Sequence, residues 1–370
     1  MKKINFADLS MACFRETNQS SKHVRQTAER QSPMIDDSKE SPLVSVIMPV
    51  RNEALFISRS LGSLLGQTYP KELMEVIVAD GMSTDSTRET IREIAANSEV
   101  PIVIVDNPKL IAPTGLNRAL KKAKGDIVIR VDGHCEVDPR FVENCVAILQ
   151  SGVADGVGGP IETVGDSRRA RAIALAMSST FGVGGSAFRT IDDREMYTDT
   201  VAFPGYTRDI LLRAGAFNEE LVRNQDDEYN YRIRKLGGRI LLSPNIRSRY
   251  YSRSSFRSLI RQYFEYGYWK VRILQLHPGQ MSLRQFVPFI FVVTLIILSL
   301  LSFVSIVGRW VLLGFAGSYL LANFAASVYA ARTKMGAVPL LSLSYLILHF
   351  SYGFGSLVGL ISFRKRWRAS

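Results

Sequence analysis

Cysteine is scarce in this chain, with three in 370 residues. Cys13, Cys135 and Cys145 have no metal-ligand spacing, and an odd count builds no disulfide framework, which suits a reducing compartment. A secretory signal is also missing, because Lys2 and Lys3 lead into Asp8 and polar residues rather than an unbroken apolar core. No zinc-finger spacing or RNA-reading motif accompanies the net charge of +12, so the charge does not point to a nucleic-acid partner. No Gly-rich, Lys-containing phosphate loop follows the first apolar run, which argues against a nucleotidyltransferase. Internal repeats and long low-complexity segments are absent.

Charge itself is missing from three long stretches late in the chain. Arg284 and Arg309 bracket the first, and 310–331 and 335–363 are the second and third. At about 1.5 Å per residue, each is long enough to cross a hydrocarbon core of about 30 Å as a helix. Arg247, Arg249, Arg253, Arg257, Arg261, Lys270, Arg272 and Arg284 precede this region, and Arg364, Lys365, Arg366 and Arg368 follow it. Such flanks fit a cytoplasmic face and anionic headgroups, so the inner membrane is the expected location, with the main domain cytoplasmic. Three spans from a cytoplasmic N-terminus leave the last basic cluster outside, against the positive-inside tendency. His349, Gly353 and Gly355 mark a place where the third stretch can break and return.

Residues 1–41, rich in Ser, Gln, Lys and Asp, read as a flexible tail. A domain is expected over 42–255, and an amphipathic interfacial segment over 256–284, where Tyr263, Phe264, Tyr266, Tyr268 and Trp269 lie among Arg and Lys. A membrane region over 285–363 and a basic tail over 364–370 complete the chain. Within the domain, apolar runs of strand length at 44–48, 76–80, 102–106 and 127–132 alternate with helical patterns at 54–65, 84–96 and 114–124. This alternation predicts an α/β fold, a mostly parallel sheet covered on both faces, with ligands beyond the carboxyl ends of its strands. The glycines of 151–205 read equally as mobile loops around a site and as plain turns. A helix over 226–235 and a strand near Ile240 follow.

Three strand ends carry polar motifs: Pro49-Val50-Arg51-Asn52-Glu53, Asp80-Gly81-Met82-Ser83-Thr84-Asp85 and Asp132-Gly133-His134. One carboxylate at a strand end is often only a cap or a turn former. Together these motifs set a nucleotide-sized group of polar side chains on one edge of a sheet. Asp80 suits a donor on a base or ribose. Asp132 and His134 both ligate divalent ions, and a carboxylate with an imidazole suits Mn²⁺ or Mg²⁺ bridging a diphosphate. A fourth motif, Asn224-Gln225-Asp226-Asp227-Glu228-Tyr229-Asn230-Tyr231-Arg232, puts three acids at a helix start, where they also complement the helix dipole. One of them beside a metal-bound donor can serve as general base.

In this order the motifs resemble the family 2 glycosyltransferases with the GT-A fold, and among them the bacterial branch of succinoglycan-type exopolysaccharide assembly. The resemblance covers 42–277 and includes Asn107-Pro108 and Gly115-Leu116-Asn117-Arg118. It implies a Rossmann-like GT-A catalytic domain followed by transmembrane helices, and inverting transfer from a UDP- or GDP-sugar to a lipid-linked or polysaccharide acceptor. It implies Pro49, Asn52, Glu53 and Asp80 at the nucleoside, Asp132 and His134 at the metal, and Asp226 as catalytic base, with Arg118 and Gln262 among the substrate-binding residues. The chain departs from the family pattern at Ala79, where a double Asp is usual, at His134 in place of Asp, and at Gln225 in place of Glu. Near Gln262, Glu265 and Tyr266 replace the Arg and Trp of the signature that marks processive synthases. A polyprenyl-phosphate sugar synthase would keep the same domain, and a non-enzymatic membrane scaffold would keep only the apolar stretches.

Overall fold

The computed structural model describes residues 40–252, 255–332 and 335–368. The tail expected over 1–41, except its last two residues, lies outside the described residues, as does Arg253.

Strands β1 (Val44–Val50), β2 (Met74–Asp80), β3 (Ile102–Asp106) and β4 (Ile127–Arg130) alternate with helices α1 (Ile57–Leu65), α2 (Thr87–Ala96) and α3 (Ala112–Lys122). The period-2 side-chain alternation of a strand explains the two cores. Val44, Val46, Met48 and Val50 face one, with Val76 and Val78, while Ile47, Ile77 and Ala79 face the other. The middle of the chain, 151–205, is not a set of loops. It holds β6 (Gly156–Gly159), β7 (Ile161–Val164), α5 (Arg168–Met177), two single-turn helices α6 (Thr180–Val183) and α7 (Ala187–Thr190), and β8 (Met196–Tyr197). Before it come β5 (Cys135–Val137) and α4 (Phe141–Gln150), and after it β9 (Ala202–Thr207), α8 (Arg208–Ala214), α9 (Gln225–Lys235), β10 (Ile240–Leu242) and β11 (Ser248–Tyr251).

The main sheet runs β3-β2-β1-β4-β9-β6-β10-β8, and β5, β11 and β7 form a small second sheet. The first four strands are parallel, whereas β9 is antiparallel to both β4 and β6. Parallel pairing sets Val50 beside Asp80 and Asp80 beside Asp106, so the motif loops of β1 and β2 and the Asp106 end of β3 leave one edge of the sheet together. The run expected to continue as a strand to 132 ends at Arg130, and Asp132 and His134 therefore sit in the turn beyond β4.

Four long helices follow: α10 (Phe256–Leu276), α11 (Val287–Val304), α12 (Ile306–Ala331) and α13 (Val338–Ser362). The first apolar boundary falls at Ser305, not Arg309. Ser305 is extended and caps α12 by accepting from the Gly308 N–H, and a Cβ at Gly308 would approach the Leu301 carbonyl at 2.7 Å, so α11 and α12 meet in a tight hairpin. All three apolar helices are long enough to cross a membrane, yet only 6% of the most apolar window of α11 and 11% of that of α12 are buried against protein, against 44% for α13.

Helix α13 is unbroken through His349, Gly353 and Gly355, so the expected break does not occur. Its glycines serve close packing instead. A Cβ at Gly355 would meet the Phe264 carbonyl at 2.1 Å, one at Gly353 the Pro288 carbonyl at 2.4 Å, and one at Gly267 of α10 the Tyr352 carbonyl at 2.0 Å. Leu341, Tyr345 and Leu348 of α13 join the same core as Ile173 and Met177 of the main domain and Tyr263 of α10. Helix α10, expected to lie on the bilayer surface, is mostly covered, and α13 packs along it. Several basic residues counted as membrane flank are paired with acids of the protein: Lys270 with Asp227, Arg272 with Glu220, Arg284 with Asp199 and Arg366 with Glu220.

Candidate active site

At the carboxyl end of β1, Pro49 is partly buried beside Ala79, and Asn52 has a left-handed φ of 54° that Asn tolerates better than most side chains. Asn52 Oδ1 accepts from the Thr84 N–H at 2.9 Å, and its own N–H donates to Ser83 Oγ at 2.9 Å, so the β1 and β2 loops are latched together. Asp80 is 0% exposed. Its carboxylate accepts from the Ser83 N–H at 3.2 Å, from Ser83 Oγ at 2.5 Å and from Arg88 at 3.1 Å. Expected to meet a base or ribose, it is instead enclosed and shapes the loop, because Arg88 bridges it to Asp106 across the parallel register.

Beyond β4, the Arg130 guanidinium grips Asp132, Nε to Oδ1 at 3.1 Å and Nη2 to Oδ2 at 3.3 Å, and lies 4.0 Å from Asp226. Burial alone disfavours the Arg130 charge, but the Asp132 and Asp226 carboxylates outweigh it and raise its pKa. His134 Nδ1 is 2.8 Å from Glu53 Oε1. A carboxylate accepts from Nδ1–H, which leaves Nε2 as the ring nitrogen available to a metal in the neutral tautomer. The Glu53 carboxylate thus engages His134, where the resemblance put it at the nucleoside.

Asp226 stands in the first turn of α9, after Asn224, whose φ is 60° and whose Nδ2 donates to the Tyr266 carbonyl at 3.0 Å. The Asp226 side chain retains 41% of its accessibility, yet it is ringed by protein inside a concavity. That burial raises its pKa above the usual carboxylate value, Arg130 opposes the rise and Asp227 adds to it. Its two acidic neighbours are committed elsewhere. Asp227 bonds Lys270 Nζ at 2.7 Å, and Glu228, almost wholly buried, bonds Arg232 and His277.

Asp132, His134, Asp226 and Gln262 line one cavity of about 620 Å³. Among the described residues no three His, Cys, Asp or Glu side chains form a ready-made metal cage. The donor set still fits Mn²⁺ or Mg²⁺, which commonly takes one or two protein ligands and completes its shell with phosphate oxygens and water. A carboxylate fixing the second nitrogen of a ligating imidazole is the usual support of such a site, and Glu53 stands there.

The glycosyl transferase family 2 profile matches residues 45–213. Over 342 residues the chain is 30% identical to the succinoglycan biosynthesis protein ExoA of Rhizobium meliloti (strain 1021), covering 90% of this chain and 99% of the relative. The chain belongs to glycosyl transferase family 2. A second relative of this glycosyltransferase, the dolichyl N-acetyl-alpha-D-glucosaminyl phosphate 3-beta-D-2,3-diacetamido-2,3-dideoxy-beta-D-glucuronosyltransferase of Methanococcus voltae, is 31% identical over 273 residues, 71% of this chain and 84% of that one. The mannosyltransferase PcManGT from Pyrobaculum calidifontis, solved in complex with GDP-Man and Mn²⁺, shares its GT-A fold with a TM-score of 0.57 at 21% identity, covering 96% of this chain and 98% of that one.

Within the glycosyltransferase, then, Asp132, His134, Asp226 and Gln262 come together, while Pro49 and Asn52 lie on the adjoining strand edge. Arg118 does not line the cavity. Leu116 and Asn117 turn inward, Asn117 bonding both the N–H and the carbonyl of Phe217, and the helical step of about 100° carries Arg118 out to solvent. Two residues were missed by motif reading. Arg130 was signalled by a cation inside an otherwise apolar strand, Ile127-Val128-Ile129-Arg130, a position where a charge is almost never buried unpaired. Arg189, which lines the cavity from α7, had no signal in its sequence neighbourhood.

Proposed function

We propose that this chain moves one sugar from a UDP- or GDP-sugar to a lipid-linked acceptor, with inversion at the anomeric carbon, in the assembly of an exopolysaccharide or related surface glycan. The observation that carries this reading is the single cavity in which Asp132, His134 and Asp226 face walls supplied by α11, α12 and α13. The relatives support it: one is named for succinoglycan biosynthesis, one for a dolichyl-linked sugar phosphate, and the fold neighbour holds GDP-Man and Mn²⁺.

The nucleoside is placed over the carboxyl ends of β1 and β2 against Pro49 and Asn52, on the loop that Asp80 shapes. Asp132 and His134 would hold a divalent ion, whose chemistry is to neutralise charge on the departing nucleoside diphosphate. Asp226 accepts the proton of the acceptor hydroxyl. That oxygen bonds the anomeric carbon as the bond to the diphosphate breaks, and the diphosphate leaves with the electron pair. Arg130 holds Asp132 in place and, from 4.0 Å, favours the ionised Asp226 that a base requires.

The same reading places the domain at the cytoplasmic face, with α11 and α12 crossing the bilayer as a hairpin and α13 lying along the surface. Helix α13 packs on the main domain near one end and is held by α10 at the other. Phe181 packs edge-on against Tyr345 at 5.0 Å near one end, and at the other Gln275 donates to the Phe363 carbonyl at 3.0 Å. A 25-residue helix is about 37 Å long, and this one follows the domain and then α10 along that length rather than crossing away from them. Leu343, Phe354, Val358 and Ile361 remain exposed at helical spacing, an apolar stripe suited to the acyl boundary. The basic tail then lies on the cytoplasmic side, which removes the positive-inside conflict.

The deciding experiment incubates the purified full chain with a panel of nucleotide sugars and lipid extract, with and without Mn²⁺, and scores nucleotide release and labelled lipid. Metal-supported release with a glycolipid product is expected. No turnover of any donor would overturn the reading.

A further inference from the structure

Five cations line the cavity: Arg130, Arg189, Arg223, Lys270 and Arg284. Four are committed to carboxylates. Arg130 grips Asp132, Arg223 bonds Glu265 at 2.8 Å, Lys270 bonds Asp227 at 2.7 Å and Arg284 bonds Asp199 at 3.0 Å. Arg189 forms no ion pair among the described residues. Its Nη1 donates to Thr163 Oγ1 at 3.3 Å, and its guanidinium lies over the rings of Phe188 and Tyr250 at 5.4 and 5.9 Å. Tyr250 in turn meets the His134 ring edge-on at 5.2 Å. A guanidinium stacked on aromatic faces is pre-organised, and its fork of N–H groups matches a phosphate oxygen pair.

The position of Arg189 points to which phosphate. It belongs to α7, and the segment leading into that helix is tied to the membrane hairpin, because Arg284, just before α11, donates to the Gly185 carbonyl. The same cavity is lined by Val287, Pro288 and Phe291 of α11, Tyr319 of α12 and Leu348 of α13, a largely apolar wall built by the three helices. The cavity thus joins an uncommitted cation, a hydrocarbon-like wall and the carboxylate of Asp226. Only an amphiphile with an anionic link between tail and sugar uses all three.

We infer that Arg189 binds the phosphate of a lipid-phosphate acceptor, whose tail lies against the α11–α13 wall and whose sugar hydroxyl is presented to Asp226. This rests on the transfer reading above and names its acceptor site. The donor diphosphate is the other anion that an unpaired arginine here can take, and the test separates the two.

The full chain in detergent is titrated with farnesyl phosphate, farnesol and inorganic phosphate, and separately with UDP and GDP in Mn²⁺, for the parent, Arg189→Gln and Arg189→Lys. The parent is expected to bind farnesyl phosphate more tightly than either half-probe. Arg189→Gln should weaken that binding by roughly 10-fold or more, Arg189→Lys by less, and neither should change nucleotide affinity, which doubles as the control for folding. Unchanged farnesyl phosphate binding in Arg189→Gln overturns the assignment. So does a loss of nucleotide binding alone, which gives Arg189 to the donor, or equal binding of inorganic phosphate and farnesyl phosphate by the parent. Donor turnover is scored in parallel, and a parent that binds farnesyl phosphate through Arg189 yet turns over no nucleotide sugar would sink the transfer reading while leaving the lipid-phosphate site in place.

Discussion

Glu53 and His134 stand 81 positions apart, and the carboxylate of one meets Nδ1 of the other at 2.8 Å. Adjacent parallel strands make the contact, since β1 and β4 pair in register and both chains leave the sheet at the same edge. The consequence is an imidazole ring held in one orientation in the cavity that Asp132 also lines.

Glu53→Gln is therefore expected to weaken Mn²⁺ binding in the presence of UDP or GDP by about 10-fold to 100-fold, the usual cost of losing the group behind a ligating imidazole. Electron paramagnetic resonance of free Mn²⁺ during titration reads this without turnover. An unchanged titration with a correctly folded variant would assign Glu53 to the nucleoside instead.

Asp226→Asn should retain nucleotide binding while lowering the initial transfer rate about 10²-fold or more, because a positioned base contributes about 10² to 10⁴. The pH profile carries a second reading. The base works deprotonated, and burial raises its pKa above the ordinary carboxylate value near about 4, so turnover should fall as pH drops through that raised value. The residual rate of Asp226→Asn should lack this acid limb. A parent-like limb in the variant would assign it to another group.

Asp227→Asn is expected to act on stability more than on the chemical step. It leaves Lys270, 3% exposed, without its carboxylate, at a cost of roughly 1–3 kcal/mol. Thermal unfolding should show a lower Tm, with transfer by the folded fraction within a few-fold of the parent. A dead but stable Asp227→Asn alongside an active Asp226→Asn would reassign the base.

Topology is tested by thiol labelling in a Cys13→Ser background, since Cys135 and Cys145 are buried. Val307→Cys at the hairpin tip should react with a membrane-impermeant maleimide added to intact cells, whereas Lys365→Cys should react only after lysis. Labelling of Lys365→Cys from outside would make α13 a third span.

Much of the fold was readable in local pattern. The run Ile102–Asp106 has the bounds that the apolar pattern assigns, because such a pattern is a property of neighbouring residues. Between 151 and 205 the elements are two to ten residues long, and glycine at Gly156, Gly158 and Gly159 erases the side-chain period of β6. There the fold is set by close approach: a Cβ at Gly159 would stand 1.6 Å from the Ile246 carbonyl, a constraint no local pattern records.

The candidate site divides in the same way. Asp132, His134 and Asp226 were legible as candidates once the motifs were taken together, since strand ends and helix starts are where a sheet enzyme puts its polar chemistry. Sequence alone also determined that three helices are apolar enough for a membrane, because hydropathy is a sum over residues. Only the tertiary structure decided that Asp80 is enclosed, that Lys270 belongs to Asp227 rather than to lipid headgroups, that among the described residues Arg189 alone of the cavity cations has no carboxylate partner, and that α13 packs along α10 and the domain. Each of these depends on which distant side chain arrives within a few ångströms, and that is fixed by packing and register across the whole sheet rather than by any neighbour in the chain.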